Sequence, residues 1–296
     1  METKPETLLV PSRLRDSTEP GIVNRVTAGE AGWELLNLEV RRLAGGEAWE
    51  HETAECEAAL VLLGGRCAVT SNRGEWPGIG RRAHVFDGMP YALYLPRRTA
   101  FTLTALTDRL EVAYCWVPTD QDHPARLVTP ADCDIEIRGG HSATRQINSI
   151  IPPGFGCHRI VCVEVYTPGG NWSSYPPHKH DAHRQDSSGV LLEADLEEVY
   201  YYKIDKPQGY AIQRVYNPDR TIDAVMVCQN DDIVLVPEGY HPVAAAYGYN
   251  CYYLNFLAGS AQSLAYADDP DHVWTKDTWT AQDPRLPMVH LGMETG

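Results

Sequence analysis

Short apolar runs, broken about every eight to twelve positions by Gly, Pro, Asn or Asp, dominate the chain. They lie at 33–44 (WELLNLEVRRLA), 58–71, 84–96, 100–117, 158–168, 198–205 (EVYYYKID), 210–217, 224–239 and 249–259 (YNCYYLNFLAG). Helical periodicity is nearly absent. Runs of this length and spacing predict strands, and strands so closely spaced predict an all-β sandwich or barrel. Only the last forty residues, around TKDTWTAQDPRL, leave room for a helical turn.

The runs recur in two sets. In the first half HETAECEAALVLLGG leads to Asp87-Gly88 and then to YLPRRTAFTL. In the second half a His-rich strand leads to EVYYYKI, Asp231-Asp232 and VPEGYHPV. Between the sets, 118–145 is rich in Pro, Asp and Gly and lacks sustained alternation, so it reads as a linker. Two similar barrels are expected, over residues 1–130 and 131–296.

The chain has 296 residues and a formal charge of −15. That charge leaves no electrostatic footprint for nucleic acid or an anionic membrane. No apolar stretch approaches the ~18 residues of a membrane-spanning helix. The segment METKPETLLVPSRLRD lacks the apolar core of a secretory signal, which favours the cytoplasm. The eight cysteines form no C-x-x-C pair, and most lie within apolar runs. They read as small buried hydrophobes in a reducing compartment. Charge is uneven: residues 1–148 hold sixteen basic and twenty-one acidic residues, and 149–296 hold nine and nineteen.

The chemistry concentrates in the more acidic half. In PPHKHDAH, His178 and His180 are two apart, so on a strand they share a face. Two imidazoles side by side inside a barrel suit a divalent metal. Glu197-Glu198 opens a later strand, and by alternation one of the two points inward. His241, in PEGYHP, is a fourth candidate. Three His and one carboxylate suit Zn, Mn, Fe, Ni or Co. The first half offers His51, Glu52, Glu55 and Glu57 but no H-x-H pair, so its barrel is expected to be metal-free.

The order H-x-H, Glu, then P-x-G with a following His resembles the two cupin motifs, and two such barrels make a bicupin of tandem double-stranded β-helix (jelly-roll) domains. The strings PPHKHD, LEEVYYYKI, PQGY and LVPEGYHPVAAAYGYNCYYLNFLAG are similar to the 5-deoxy-glucuronate isomerase family of myo-inositol catabolism, over nearly the whole chain. The resemblance implies metal ligands at His178, His180, Glu198 and His241, with Glu197 as the alternative carboxylate. Two positions depart from the cupin pattern. Seventeen residues (181–197) separate the second His from Glu198, where a few are usual, and Asp231 stands where Gly is common. The insertion, with His183, Arg184 and Asp186, could fold over the barrel mouth as a lid or substrate arm.

The resemblance further implies a small anionic sugar acid as substrate, 5-deoxy-D-glucuronate, and its ketose isomer 2-deoxy-5-keto-D-gluconate as product. Aldose–ketose isomerisation needs a Lewis acid at the carbonyl and its neighbouring hydroxyl, a proton carrier and a cation for the carboxylate. Candidates for the proton carrier are Glu197, Tyr200, Tyr202 and His183. Candidates for the carboxylate are Arg145, Arg184 and Arg214. Lys179, between the two His, faces away from the metal. Alternatives are a metal-dependent bicupin dioxygenase and a non-catalytic sugar-binding bicupin. Open β-edges are compatible with a homodimer.

Overall fold

The computed structural model describes residues 8–14 and 18–293. Strands make up 49% of the chain and helix 7%, so the all-β class holds. In the first barrel a six-stranded sheet runs in the order Arg126–Val128, Tyr91–Leu95, Cys56–Gly64, Arg109–Pro118, Asn37–Ala44, Gly21–Val26. A four-stranded sheet (Ala48–Glu52, Ala100–Ala105, Cys67–Ser71, Gly74–Ile79) packs on it. In the second barrel the larger sheet has eight strands, in the order Leu9–Val10, Ile233–Val236, Leu191–Ile204, Cys251–Gly259, Val161–Thr167, Arg145–Ile151 and Asp134–Arg138, with Asp181–Gln185 paired to Leu191–Ile204; its run from Ile233–Val236 to Arg145–Ile151 repeats the first barrel's run from Tyr91–Leu95 to Gly21–Val26. Its smaller sheet contains Trp172–Ser173, Val243–Ala245, Ala211–Tyr216 and Asp223–Cys228. Neighbouring strands are antiparallel throughout, so each strand sends alternate residues to opposite faces.

Three large apolar cores result among the described residues, beside a small cluster of Val161, Ala194, Leu196 and Leu257. One fills the first barrel, around Trp49, Leu60, Val69, Phe101 and Tyr114. A second fills the other barrel, around Tyr200, Tyr202, Val215, Val234 and Tyr253. The third lies between the two large sheets and draws Leu38, Val61 and Cys115 from one barrel and Cys162, Tyr201 and Phe256 from the other. The run 198–205 is apolar on both faces for this reason: Tyr200 and Tyr202 enter a barrel, and Val199 and Tyr201 enter the seam.

Charged groups also cross the seam. Glu57 is buried and accepts the backbone N–H groups of His158, Arg159 and Ile160 at 2.8, 2.6 and 3.0 Å. Lys203 pairs with Glu111 and with Asp231, and Arg42 pairs with Glu111 at 3.0 Å. The strand Leu9–Val10 pairs with Ile233–Val234, far from its sequence neighbours and in the second barrel.

Some local expectations change. The expected linker holds two strands, Arg126–Val128 and Asp134–Arg138, one for each barrel. A four-residue helix at Ala28–Ala31 carries a Thr27–Glu30 capping box, a signal too short for periodicity to show. The helical turn near the C-terminus is a 3-10 helix at Val273–Thr278. All eight cysteines are free, and all but Cys56 are buried. No helix among the described residues is long and apolar enough to cross a membrane. Residues 1–7 and 15–16 of the segment considered for a secretory signal lie outside the described residues.

Candidate metal centre and active site

His180, Glu198 and His241 present one ligand atom each within 4.8 Å of one another, and all three are buried. Cross-strand pairing explains the placement. His180 exchanges with Leu196: its backbone carbonyl accepts the Leu196 N–H at 3.0 Å, and its Nδ1 donates to the Leu196 carbonyl at 3.0 Å. Two residues on, Glu198 faces the same way. His241 is fixed by Nδ1 donating to the Gly239 carbonyl at 2.8 Å, within a turn where Gly239 has φ +91°. A Cβ at Gly239 would lie 2.5 Å from the Tyr216 carbonyl oxygen, so the turn requires glycine.

These contacts decide the chemistry. A ring that donates from Nδ1 to a carbonyl turns the Nε2 lone pair outward when neutral. Both Nε2 atoms then face Glu198 Oε2, at 2.9 Å for His180 and 3.2 Å for His241. His241 Nε2 is buried without a hydrogen-bond partner. Acceptors converging in a buried site suit a shared cation, and this donor set fits a divalent metal. Burial pushes the Glu198 carboxyl upward, but the neighbouring His180 and His241 outweigh it and hold the group at about 2. It is therefore anionic, as a ligand must be. His178 lies beside the triad, its ring 4.8 Å from that of His241 and 4.6 Å from that of Tyr266. Burial, then the charges of His241 and His180, with a further contribution from Arg145, push its pKa well below the usual imidazole value.

His178, His180, Glu198 and Tyr200 border one cavity of about 180 Å³. Arg145 borders it too. It is buried, and Nη1 donates to the carbonyls of Ala143 and Tyr175 at 3.2 and 2.9 Å. No carboxylate pairs with it among the described residues. Desolvation lowers its pKa to about 10, which leaves it charged at neutral pH. Tyr200 shares a contact with Ser174 Oγ at 3.0 Å.

The other expected site residues are placed elsewhere. Glu197 has the opposite strand phase from Glu198, and its carboxylate accepts the N–H groups of Glu34, Leu35 and Leu36 of the first barrel, at 2.7 to 3.1 Å for the shortest contact to each. Tyr202 has the right phase but lies deeper, donating to Gln213 Oε1 at 2.8 Å. His183 is exposed on the hairpin of residues 181–195, 2.8 Å from Ser260 Oγ. Arg184 is held by Glu193, and Arg214 by Asp223. Lys179 turns from the cavity to Glu193 at 2.8 Å. The insertion is thus a hairpin continuous with the Glu198 strand, and its residues 181–195 do not border the cavity.

The cavity also contains residues the sequence reading missed: Glu136, Arg138, Tyr253, Asn255 and Tyr266. Arg138 is paired bidentately with Glu136, at 2.7 Å for each bond. The alternation in Asp-Ile-Glu-Ile-Arg was the available signal for that strand, hidden by the Pro and Gly around it.

A tandem pair of jelly-roll barrels, with a His/Glu cluster able to hold a cation in the second, defines a bicupin. Solved structures agree: Bacillus subtilis oxalate decarboxylase superposes with a TM-score of 0.60 at 14% identity, covering 88% of this chain and 77% of that one, and this likeness concerns the fold alone. The chain belongs to the KduI/IolB family, whose model matches residues 8–275. A Geobacillus kaustophilus protein named 5-deoxy-glucuronate isomerase is 44% identical over 272 residues, covering 92% of this chain and 96% of that protein. The Bacillus subtilis protein of the same name is 38% identical over 255 residues, covering 86% and 92%. The crystal structure of an IolB-like protein from Salmonella typhimurium has a TM-score of 0.85 at 36% identity, covering 90% of this chain and 98% of that one.

Proposed function

We infer that this chain isomerises 5-deoxy-D-glucuronate to 2-deoxy-5-keto-D-gluconate, with a divalent cation held by His178, His180, Glu198 and His241. The relatives' names supply the reaction. The observation that carries the reading is one cavity bordered by both His178, His180 and Glu198 and the carboxylate-free cation Arg145. Neither the dioxygenase nor the sugar-binding alternative is favoured by the family.

The reaction moves hydrogen from C2 to C1 and a hydroxyl proton from O2 to O1. A cation in this donor set supplies Lewis acidity to the two oxygens. Arg145 holds the carboxylate at the other end, with its two carbonyl contacts keeping the guanidinium pointed into the cavity. Tyr200, bordering the cavity beside Glu198, is the hydroxyl placed to exchange a proton with substrate oxygen. Ile147, Val163, Val165 and Leu257 keep water from the reacting carbons.

Purified, metal-loaded protein incubated with 5-deoxy-D-glucuronate should show the ketose product by NMR, without oxygen uptake. Absence of product, or oxygen uptake coupled to substrate loss, would overturn the reading.

A further inference from the structure

The smaller sheets of the two barrels are counterparts, and their outward faces differ in kind. In the first barrel the row across that face is Glu50, Thr102, Thr70 and Glu75, one residue from each strand. Its edge strand, Gly74–Ile79, carries Pro77, and its register against Cys67–Ser71 shifts between Cys67 and Val69. Polar side chains, proline and an irregular edge keep a sheet from associating with another.

The matching row in the second barrel is Trp172, Ala244, Ile212 and Val227. Val225 shares the phase of Val227. Tyr210 precedes Ile212 by two, and its carbonyl accepts the Ala246 N–H at 3.2 Å. The alternate residues Ala211, Val215, Met226 and Cys228 point the other way, into the barrel core. Val225 is 64% exposed, Val227 55% and Trp172 43%. The edge strand Asp223–Cys228 contains no proline or lysine and pairs in unbroken register with Ala211–Tyr216. Its other side has no strand partner among the described residues.

Together Trp172, Tyr210, Ile212, Val225 and Val227 leave on the order of 500 Å2 uncovered, at the upper end of what a monomer shows. An interface of standard size hides roughly 800 Å2 on each partner, about three fifths of it apolar. This patch with a polar rim therefore matches the area that a stable dimer needs. The charge of the face also suits a second copy. At −15 two copies repel overall, and they meet at least cost where charge is balanced. The rim here holds Arg214 bonded to Asp223 at 2.7 and 2.8 Å, both partly exposed. One charge of each sign is self-complementary about a twofold axis, because Arg214 of each copy can face Asp223 of the other.

We propose that this face is the interface of a twofold homodimer, in which the smaller sheets of the two second barrels pack face to face. The dimer is independent of the reaction assigned above, yet it lies against a wall of the same cavity. Trp172 packs on Tyr175, with ring centroids 5.3 Å apart, and the Tyr175 carbonyl holds Arg145.

The test is sedimentation velocity in the low micromolar range on the native full chain, on the double variant Val225→Lys, Val227→Lys, and on Ile212→Glu. These side chains face solvent in the single chain, so each variant is expected to keep its fold, checked by cooperative urea unfolding. Each substitution sets like charges against one another across the twofold axis and should weaken self-association by more than ~100-fold. The expected result is a native protein at twice the chain mass and variants at the chain mass. Ile212→Glu lies on a different strand from the double variant, so either one decides if the other folds poorly. A native protein that sediments as a monomer would overturn the dimer and leave the face to a partner of another kind. An assembly that a folded variant leaves intact would overturn it as well.

Discussion

Adjacent glutamates, one residue apart in a strand, have different tasks here. The resemblance pointed to Glu198, with Glu197 as the alternative, but alternation alone gives two phases and only tertiary packing says which faces the barrel. Tyr201 and Lys203, in phase with Glu197, point to the seam, so Glu198 is the one that faces the barrel. Glu198→Gln is expected to weaken cation binding by more than ~100-fold, beyond the range of changes outside the ligand set. Glu197→Gln should leave cation binding intact and lower stability by about 1–3 kcal/mol, because three backbone amides lose a charged acceptor. Chelator competition and urea titration of both variants separate these outcomes. Arg145 makes a second contrast. It was one of three arginines with equal standing in the sequence, and what singles it out is the absence of a carboxylate partner. Arg145→Gln should cut kcat/KM by about 10- to 100-fold, as expected for a lost charge-assisted bond. Arg145→Lys should restore little, because an ammonium cannot match the carboxylate bidentately. Steady-state kinetics on the three proteins decides it.

At the level of elements, the H-x-H motif and the P-x-G-x-H turn were legible as separate strings. The contact that joins them was not, because it runs through the insertion. Buried Glu193 accepts Lys179 Nζ at 2.8 Å, the Asp181 N–H at 2.9 Å and Arg184 Nε at 2.9 Å. Asp181 Oδ1 in turn accepts the Gly239 N–H at 2.9 Å, two residues before His241. The hairpin thus braces the His180 strand against the His241 turn, and the sequence suggestion of a lid gives way to this arrangement. Asp181→Ala should lower cation affinity by about 10- to 100-fold, the usual effect of losing support behind a ligand. Asp181→Asn, whose amide oxygen still accepts from Gly239, should recover most of it. Titration with Co2+, followed by its visible absorption, would reveal equal affinity in all three proteins if the brace were irrelevant.

Across the whole molecule, two barrels were readable from the repeated run pattern, but their mutual dependence was not. Their shared core and the Lys203, Glu111, Asp231 and Arg42 cluster lie between sheets formed by residues about a hundred positions apart. Lys203→Met leaves buried carboxylates short of a partner and should cost about 3–5 kcal/mol, measurable by denaturant unfolding. The cluster also sets an acid limit. Burial raises the Glu111 pKa, but the charges of Lys203 and Arg42 outweigh it and bring it to about 2. A carboxyl depressed below its unfolded value stabilises the fold at neutral pH, and that contribution is lost as pH falls from about 4.5 toward 2. Native stability measured across that window should fall more steeply than that of Lys203→Met. The crossing strand Leu9–Val10 has a further consequence, in time rather than energy. Its partners, Ile233 and Val234, leave the ribosome more than two hundred residues later. At roughly 5–20 residues per second, that is a wait of roughly ten to forty-five seconds. During this interval the first barrel can close, but the edge strand of the second barrel has to remain unpaired until Ile233 and Val234 emerge.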